Sequence, residues 1–215
     1  MDTMSESKEY WEGYYSSHRD PAGESPFARF VSGFLKPGDH LYELGCGNGR
    51  DSVFFAERGV NVRAFDQCDT EIAYLNGQKA NDHLAFEAGD FTALGNRDQV
   101  ECIYSRFTLH SVALEEEKRT LKWSFDTLKE NGMIFIEIRS VLDDLCGQGE
   151  QVGENEYVTT HYRRFVTFEG FVQRVEEAGF SIVYKQEAKG LAPYGDDDPV
   201  VIRVCLLYTS PSPRD

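Results

Sequence analysis

Long apolar runs are missing from this chain, and no stretch reaches the roughly 20 residues that a membrane-spanning helix needs. Paired cysteines are missing as well. Cys46, Cys68, Cys102, Cys146 and Cys205 are odd in number and show no metal-ligand spacing, which argues against a closed disulfide framework and against a cysteine-held metal. No metal is expected. An excess of positive charge is the third absence: 22 Lys and Arg stand against 37 Asp and Glu, a formal net charge of -15. Most nonspecific affinity for nucleic acid comes from cationic contacts to phosphate, so DNA and RNA are poor candidate partners. The opening Met1-Asp2-Thr3-Met4-Ser5-Glu6 is acidic and polar rather than a charged-then-apolar leader, so a cytoplasmic protein is expected. Repeats, low-complexity blocks and evident linkers are also absent. With 215 residues, 40% of them hydrophobic, and a mean hydropathy of -0.48, the chain suits one domain with a substantial core.

What the chain does have is Tyr42-Glu43-Leu44-Gly45-Cys46-Gly47-Asn48-Gly49, an apolar strand followed by glycine at every second position. Glycines at 45, 47 and 49 leave the backbone bare where a ligand must come close, and they permit the positive φ of a tight strand-to-helix turn. The dinucleotide fingerprint G-x-G-x-x-G needs a glycine at position 50, and Arg50 stands there. Glu43 adds a carboxylate beside the loop, which repels a diphosphate and suits a ligand with a cationic amino group.

The run resembles motif I of class I S-adenosylmethionine-dependent methyltransferases, an acid followed by G-x-G-x-G. That resemblance implies a Rossmann-like, doubly wound α/β fold with a seven-stranded, mostly parallel sheet whose last strand is antiparallel. The rest of the chain alternates accordingly. Strands are predicted at His40–Leu44, Val60–Phe65, Leu84–Ala88, Val100–Tyr104, Met133–Ile138, Phe180–Tyr184 and Pro199–Val204. Helices are predicted at Asp51–Glu57, about Thr70–Ala80, Leu114–Glu130 (stopped by Asn131-Gly132) and Thr167–Ala178. Residues 1–204 form the expected domain, with a helical lid over about 1–35 and a substrate-covering loop over 140–166. Cys205–Asp215 resembles the translated end of a transposase adapter from sequencing libraries and is left out of the fold expectation.

Candidate cofactor contacts follow the C-terminal ends of the strands. Besides Glu43, Gly45, Cys46, Gly47, Asn48 and Gly49, they are Asp66, placed to accept from ribose hydroxyls, and Gln67 beside it. By resemblance, Asp90 receives the adenine amino group, Phe91 lies against the ring, and Ser105 lies by the transferring methyl. Tyr14 belongs to the aromatic run Tyr10-Trp11-Glu12-Gly13-Tyr14-Tyr15, similar to the lid of small-molecule methyltransferases of the tellurite-resistance type; packing on the sheet edge is the other reading. Arg29 faces either solvent or the methionine carboxylate.

His110 is the candidate general base, with a structural histidine as the alternative. Arg106, Arg139, His161, Tyr162, Arg163 and Arg164 are the candidate acceptor contacts, since arginine forks match phosphate and carboxylate; surface ion pairs of Arg163 and Arg164 with Glu154 or Glu156 are the alternative. Asp196-Asp197-Asp198 reads as a solvated turn. The expected reaction is methyl transfer from S-adenosylmethionine to a small polar acceptor of the phosphate- or carboxylate-bearing kind, by a monomer or homodimer. A non-catalytic cofactor-binding module and a nicotinamide oxidoreductase remain as rivals.

Overall fold

A computed structural model describes residues 3–18 and 23–210, with side chains from residue 8 onward. Readings placed on residues 1, 2, 19 to 22 and 211 to 215 lie outside the described residues. In chain order the elements are α1 (Thr3–Ser17), α2 (Pro26–Ser32), β1 (His40–Leu44), α3 (Arg50–Ala56), β2 (Asn61–Asp66), α4 (Asp69–Gln78), β3 (Leu84–Ala88) and β4 (Val100–Arg106). A single 3-10 turn, Leu109–Ser111, precedes α5 (Leu114–Thr127), β5 (Leu128–Arg139), β6 (Glu150–Gly153), β7 (Glu156–Val158), β8 (Tyr162–Arg164), α6 (Phe168–Glu177), β9 (Ser181–Ala188) and β10 (Val201–Leu207). None of the described helices is long and apolar enough to cross a membrane.

Seven strands form one sheet in the order β3-β2-β1-β4-β5-β10-β9. Neighbours from β3 to β5 pair in parallel, while β10 runs antiparallel to both β5 and β9. The expected architecture is therefore present, including the inverted last strand. Alternate strand residues serve opposite faces. Tyr104 and Phe135 enter a core with Phe27 of α2 and Phe55 of α3, whereas Ile103, Ile134 and Ile136 enter a second core with Leu121 of α5 and Phe171 of α6. Helices on both faces of a parallel sheet leave the loops at the C-terminal strand ends free to carry a site.

Local chemistry sets several of these boundaries. Ser25 caps α2, its Oγ accepting from Ala28 N at 3.0 Å, and Pro26 occupies the first turn, where no N–H is required. Arg29 turns to solvent and pairs with Glu24, which removes it from the cavity.

Four expectations need correction. The helix α5 ends at Thr127 rather than Glu130, because Leu128 is already extended (ψ 140°) and opens β5. Asn131-Gly132 does not stop a helix; Asn131 takes φ 63° and marks an irregular stretch inside β5, where the register against β4 shifts. The segment expected as a loop over 140–166 carries a three-stranded antiparallel sheet, β6-β7-β8, whose short and half-exposed strands lack the apolar alternation that would announce them. The strand predicted to end at Val204 also continues to Leu207: Cys205 and Leu206 are fully buried and pair with Phe135 and Ile134 of β5.

Candidate functional site

The turn between β1 and α3 shows why it is built of glycine. Gly45, Gly47 and Gly49 have φ of 72°, 53° and 72°, the left-handed region that side chains disfavour. Space is equally short. A Cβ at Gly45 would lie 2.2 Å from Thr108 Cγ2, and one at Gly47 would lie 2.8 Å from the Tyr15 ring. Backbone amides then fix the loop: Gly45 N and Cys46 N both donate to Phe65 O, and Gly47 N donates to Asp66 Oδ2 at 2.9 Å.

Carboxylates gather around this loop. Asp66 also accepts from Cys68 N at 3.0 Å, so both oxygens are tied to backbone. Glu43 is only 4% exposed, accepts from Ser52 Oγ, and has no ion pair among the described residues. Burial, then repulsion from Asp51, pushes its carboxyl well above the ordinary value, against the pull of Ser52. Burial likewise raises Asp66, opposed by the amides of Cys68 and Gly47. Asp51 is different, because Ser25 N, Ser25 Oγ and Tyr104 Oη all donate to it. It fastens α2 to α3 beneath the loop.

Aromatic rings of α1 close over one side. Tyr10 and Trp11 pack on His161 with tilted rings whose centroids lie 4.5 and 4.7 Å from its own, and Tyr14 stacks on His18 at 4.3 Å. Asn48 Nδ2 donates to His18 O at 3.0 Å, joining the glycine loop to the end of the helix. The aromatic run thus lines the cavity rather than the sheet edge.

At the opposite wall the cations meet different fates. Arg106 Nε donates to Glu137 Oε1 at 3.1 Å, and its guanidinium lies 4.3 Å from the centre of the Phe107 ring. Arg139 grips Asp143 at 3.0 Å and Asp197 at 2.7 Å. Arg164 leaves the cavity altogether: it pairs with fully buried Glu117 and donates to Leu109 O and Val112 O, each at 3.1 Å. That pairing is neither of the surface ion pairs that sequence offered for it. Arg163 alone among the cavity arginines has no carboxylate partner among the described residues; its Nη1 donates to Thr159 Oγ1 at 2.8 Å. Burial and the adjacent Arg139 lower its pKa.

Two histidines share this wall. Burial, with Arg139 and Arg163 adding repulsion, holds His110 well below its ordinary value, and burial with Arg163 and Arg139 holds His161 at about 3. Both are neutral at pH 7. Nδ1 of His110 is buried and has no hydrogen-bond partner. Phe107, beside it, takes a left-handed φ of 56°, an uncommon conformation for a bulky residue that turns its ring between Arg106 and Arg139.

All these walls enclose one cavity of about 1280 Å³. That exceeds the roughly 300–1,000 Å³ typical of a site for one small ligand, so it has room for two. Of the sequence candidates it brings together Tyr14, Glu43, Gly45, Cys46, Gly47, Asn48, Asp66, Gln67, Asp90, Phe91, Arg106, His110, Arg139, His161, Tyr162 and Arg163. Gly49, Ser105 and Arg164 stand outside it: Gly49 caps α3 against Phe86, and Ser105 is buried in a bond with Thr108. The cavity also takes in Thr108, Ser111, Glu116, Glu156, Tyr194 and Asp197, none of which the sequence assigns to the site. Asp197 was read as part of a solvated turn, and no local signal ties it to Arg139, 58 residues away.

The family model described as a methyltransferase domain matches residues 16–185. No curated protein sequence gives a match. Among solved structures, a 1,6-didemethyltoxoflavin N1-methyltransferase from Burkholderia thailandensis, with 1,6-didemethyltoxoflavin and S-adenosylhomocysteine bound, is 19% identical; the match covers 86% of this chain and 77% of that one at a TM-score of 0.68. An S-adenosylmethionine-dependent methyltransferase from Methanosarcina mazei is 16% identical over 84% and 97%, with a TM-score of 0.72. A TehB-like enzyme from Corynebacterium glutamicum is 16% identical over 95% and 99%, with a TM-score of 0.68.

Proposed function

The chain belongs to the methyltransferase-domain family and is an S-adenosylmethionine-dependent enzyme, and we propose that its acceptor is a small polar molecule carrying a phosphate or carboxylate. When bound, S-adenosylmethionine supplies a methyl group on a cationic sulfur. The residues present fit such a cofactor. Glu43 and Asp66 are buried carboxylates without an ion pair among the described residues, and the glycine loop leaves bare backbone beside them. On this reading Asp66 receives ribose hydroxyls, Glu43 offsets cationic charge, and Gln67, Asp90 and Phe91 border the adenine.

The acceptor assignment rests on Arg163, the cavity's guanidinium with no carboxylate partner among the described residues. A half-buried guanidinium without a carboxylate partner favours an anion that brings the counter-charge. His110, neutral at pH 7 and with a partnerless Nδ1, is the candidate base for the proton that an acceptor hydroxyl or amine gives up on methylation. The acidic balance of the chain supports a partner other than nucleic acid. Five free cysteines fit a cytoplasmic setting, and a monomer or homodimer belongs to the same proposal.

The deciding experiment is homocysteine release across a panel of phosphorylated, carboxylated and neutral metabolites. Turnover of anionic members, with Arg163→Gln raising KM at least about tenfold and changing kcat little, is the expected outcome. Turnover of neutral apolar acceptors alone would overturn it.

A further inference from the structure

The acidic end of the cavity also holds a cation that the fold barely uses. Arg50 opens α3 directly after the left-handed Gly49, lines the cavity, and has a side chain only 16% exposed. Its Nε lies 3.7 Å from Asp51 Oδ1, too far for a hydrogen bond, and Asp51 already accepts from Ser25 and Tyr104. No other carboxylate pairs with Arg50 among the described residues. Its guanidinium lies 5.6 Å from the centre of the Tyr194 ring and draws down the Tyr14 phenol, which burial pushes up; both tyrosines line the same cavity. Glu43 feels this charge too. Burial and then Asp51 push the Glu43 carboxyl up, while Ser52 and Arg50 draw it down, yet no ion pair joins Arg50 to Glu43 among the described residues. The two charges are close enough to act on each other and too far apart to satisfy each other.

A carboxylate and a guanidinium held apart on one wall match a zwitterion, and the amino-acid end of S-adenosylmethionine carries an ammonium and a carboxylate on one carbon. Arg29, which sequence offered for that carboxylate, is paired with Glu24 outside the cavity. Arg106 and Arg139 are committed to Glu137, Asp143 and Asp197, and Arg163 stands with the two histidines across the cavity. Resting on the methyltransferase reading, we propose that Arg50 binds the carboxylate of the cofactor's amino-acid group and makes the site specific for the complete group over a decarboxylated one. Glu43 alone would accept either form, because both carry the ammonium. Arg50 supplies the discrimination, since its planar fork matches a carboxylate and is left without its partner when the carboxylate is missing. The side chain that stands in place of the dinucleotide glycine thereby acquires a task of its own.

The test is calorimetric titration of the full chain with S-adenosylhomocysteine and with its decarboxylated analogue, the aminopropyl thioether of adenosine, which differs only in lacking the carboxylate. The unmodified chain binds S-adenosylhomocysteine about 30-fold more tightly than the analogue. Arg50→Gln brings that ratio below about threefold by weakening S-adenosylhomocysteine, with the affinity for the analogue changed less than about twofold. Arg50→Lys keeps the charge and loses the fork, and its ratio falls to about tenfold or less. Equal binding of the two ligands by the unmodified chain overturns the proposal, as does a ratio that survives in both variants. Equal weakening of both ligands in both variants overturns it as well, because it assigns Arg50 to the shape of the glycine loop. Failure of the unmodified chain to bind S-adenosylhomocysteine at all is a different result, and it counts against the methyltransferase reading.

Discussion

One cavity contains two ends of opposite electrical character. Around the glycine loop Glu43, Asp51 and Asp66 crowd together with Arg50 as the nearby cation, and burial raises Glu43 and Asp66. Across from them Arg106, Arg139 and Arg163 surround two histidines that burial and like charge hold neutral. At the acidic end the backbone does the positioning, through three positive-φ glycines and their amides. At the cationic end long side chains do it, and most of them are committed to carboxylates elsewhere in the fold. The contrast separates charge that is available to a ligand from charge already consumed by structure.

Arg163 and Arg164 sharpen that separation most, being adjacent and alike in type. Arg164→Ala strands Glu117 with a diminished set of partners in the interior, and loss of one member of a buried pair costs about 3–5 kcal/mol. Urea denaturation should show that loss for Arg164→Ala and almost none for Arg163→Gln. At the other end, Gly45→Ala adds a Cβ 2.2 Å from Thr108 in a left-handed backbone. Affinity for S-adenosylhomocysteine, measured by calorimetry, is expected to fall about 100-fold, near 2.8 kcal/mol. Asp66→Asn keeps the shape of the side chain and removes a charged acceptor; the expected loss of affinity is about 10-fold or somewhat more. Arg163→Gln should leave the same titration unchanged. If it does not, the two ends are not independent.

The smallest effect is a pair of opposed pH slopes. His110 and His161 have folded pKa values below the unfolded one, so the unfolded chain binds more protons and stability falls as pH drops from about 6.5 toward the 3 of His161. Glu43 and Asp66 have folded values above the unfolded ones, so their contribution is favourable at low pH and is lost as pH rises. Between pH 7 and 5, His161→Gln should lose about 1–2 kcal/mol less than the unmodified chain. Glu43→Gln should stabilise the chain at pH 7 by about 1 kcal/mol, a gain that shrinks on acidification. Denaturation at several pH values reads both slopes, and slopes of the same sign would erase the contrast.

Legibility in the sequence divides along the same line. Glycine spacing, strand alternation and an acid at a strand end are local patterns, so β1 to β5 and Asp66 were open to inspection within a few residues of each position. The fate of an arginine is not local. Arg164 meets Glu117 across 47 positions and Arg139 meets Asp197 across 58, so one of two adjacent arginines became a fastener and the other stayed available without any difference in their neighbourhood. The small sheet β6-β7-β8 was missed for a related reason. Its strands of three or four residues are too short and too exposed to show an alternation.

The position of β10 has a consequence for the order in which the molecule can be assembled. This strand lies between β5 and β9, yet it follows both in sequence. While the chain emerges from a ribosome, β9 therefore has no edge to join until later residues arrive, and β5 presents an open edge in the meantime. That nascent interval is when an unpaired edge invites the wrong partner. Closure of the sheet is a late event set by the direction of synthesis, and the cationic wall of the cavity, anchored through Arg139 at the end of β5 and Asp197 just before β10, is completed with it.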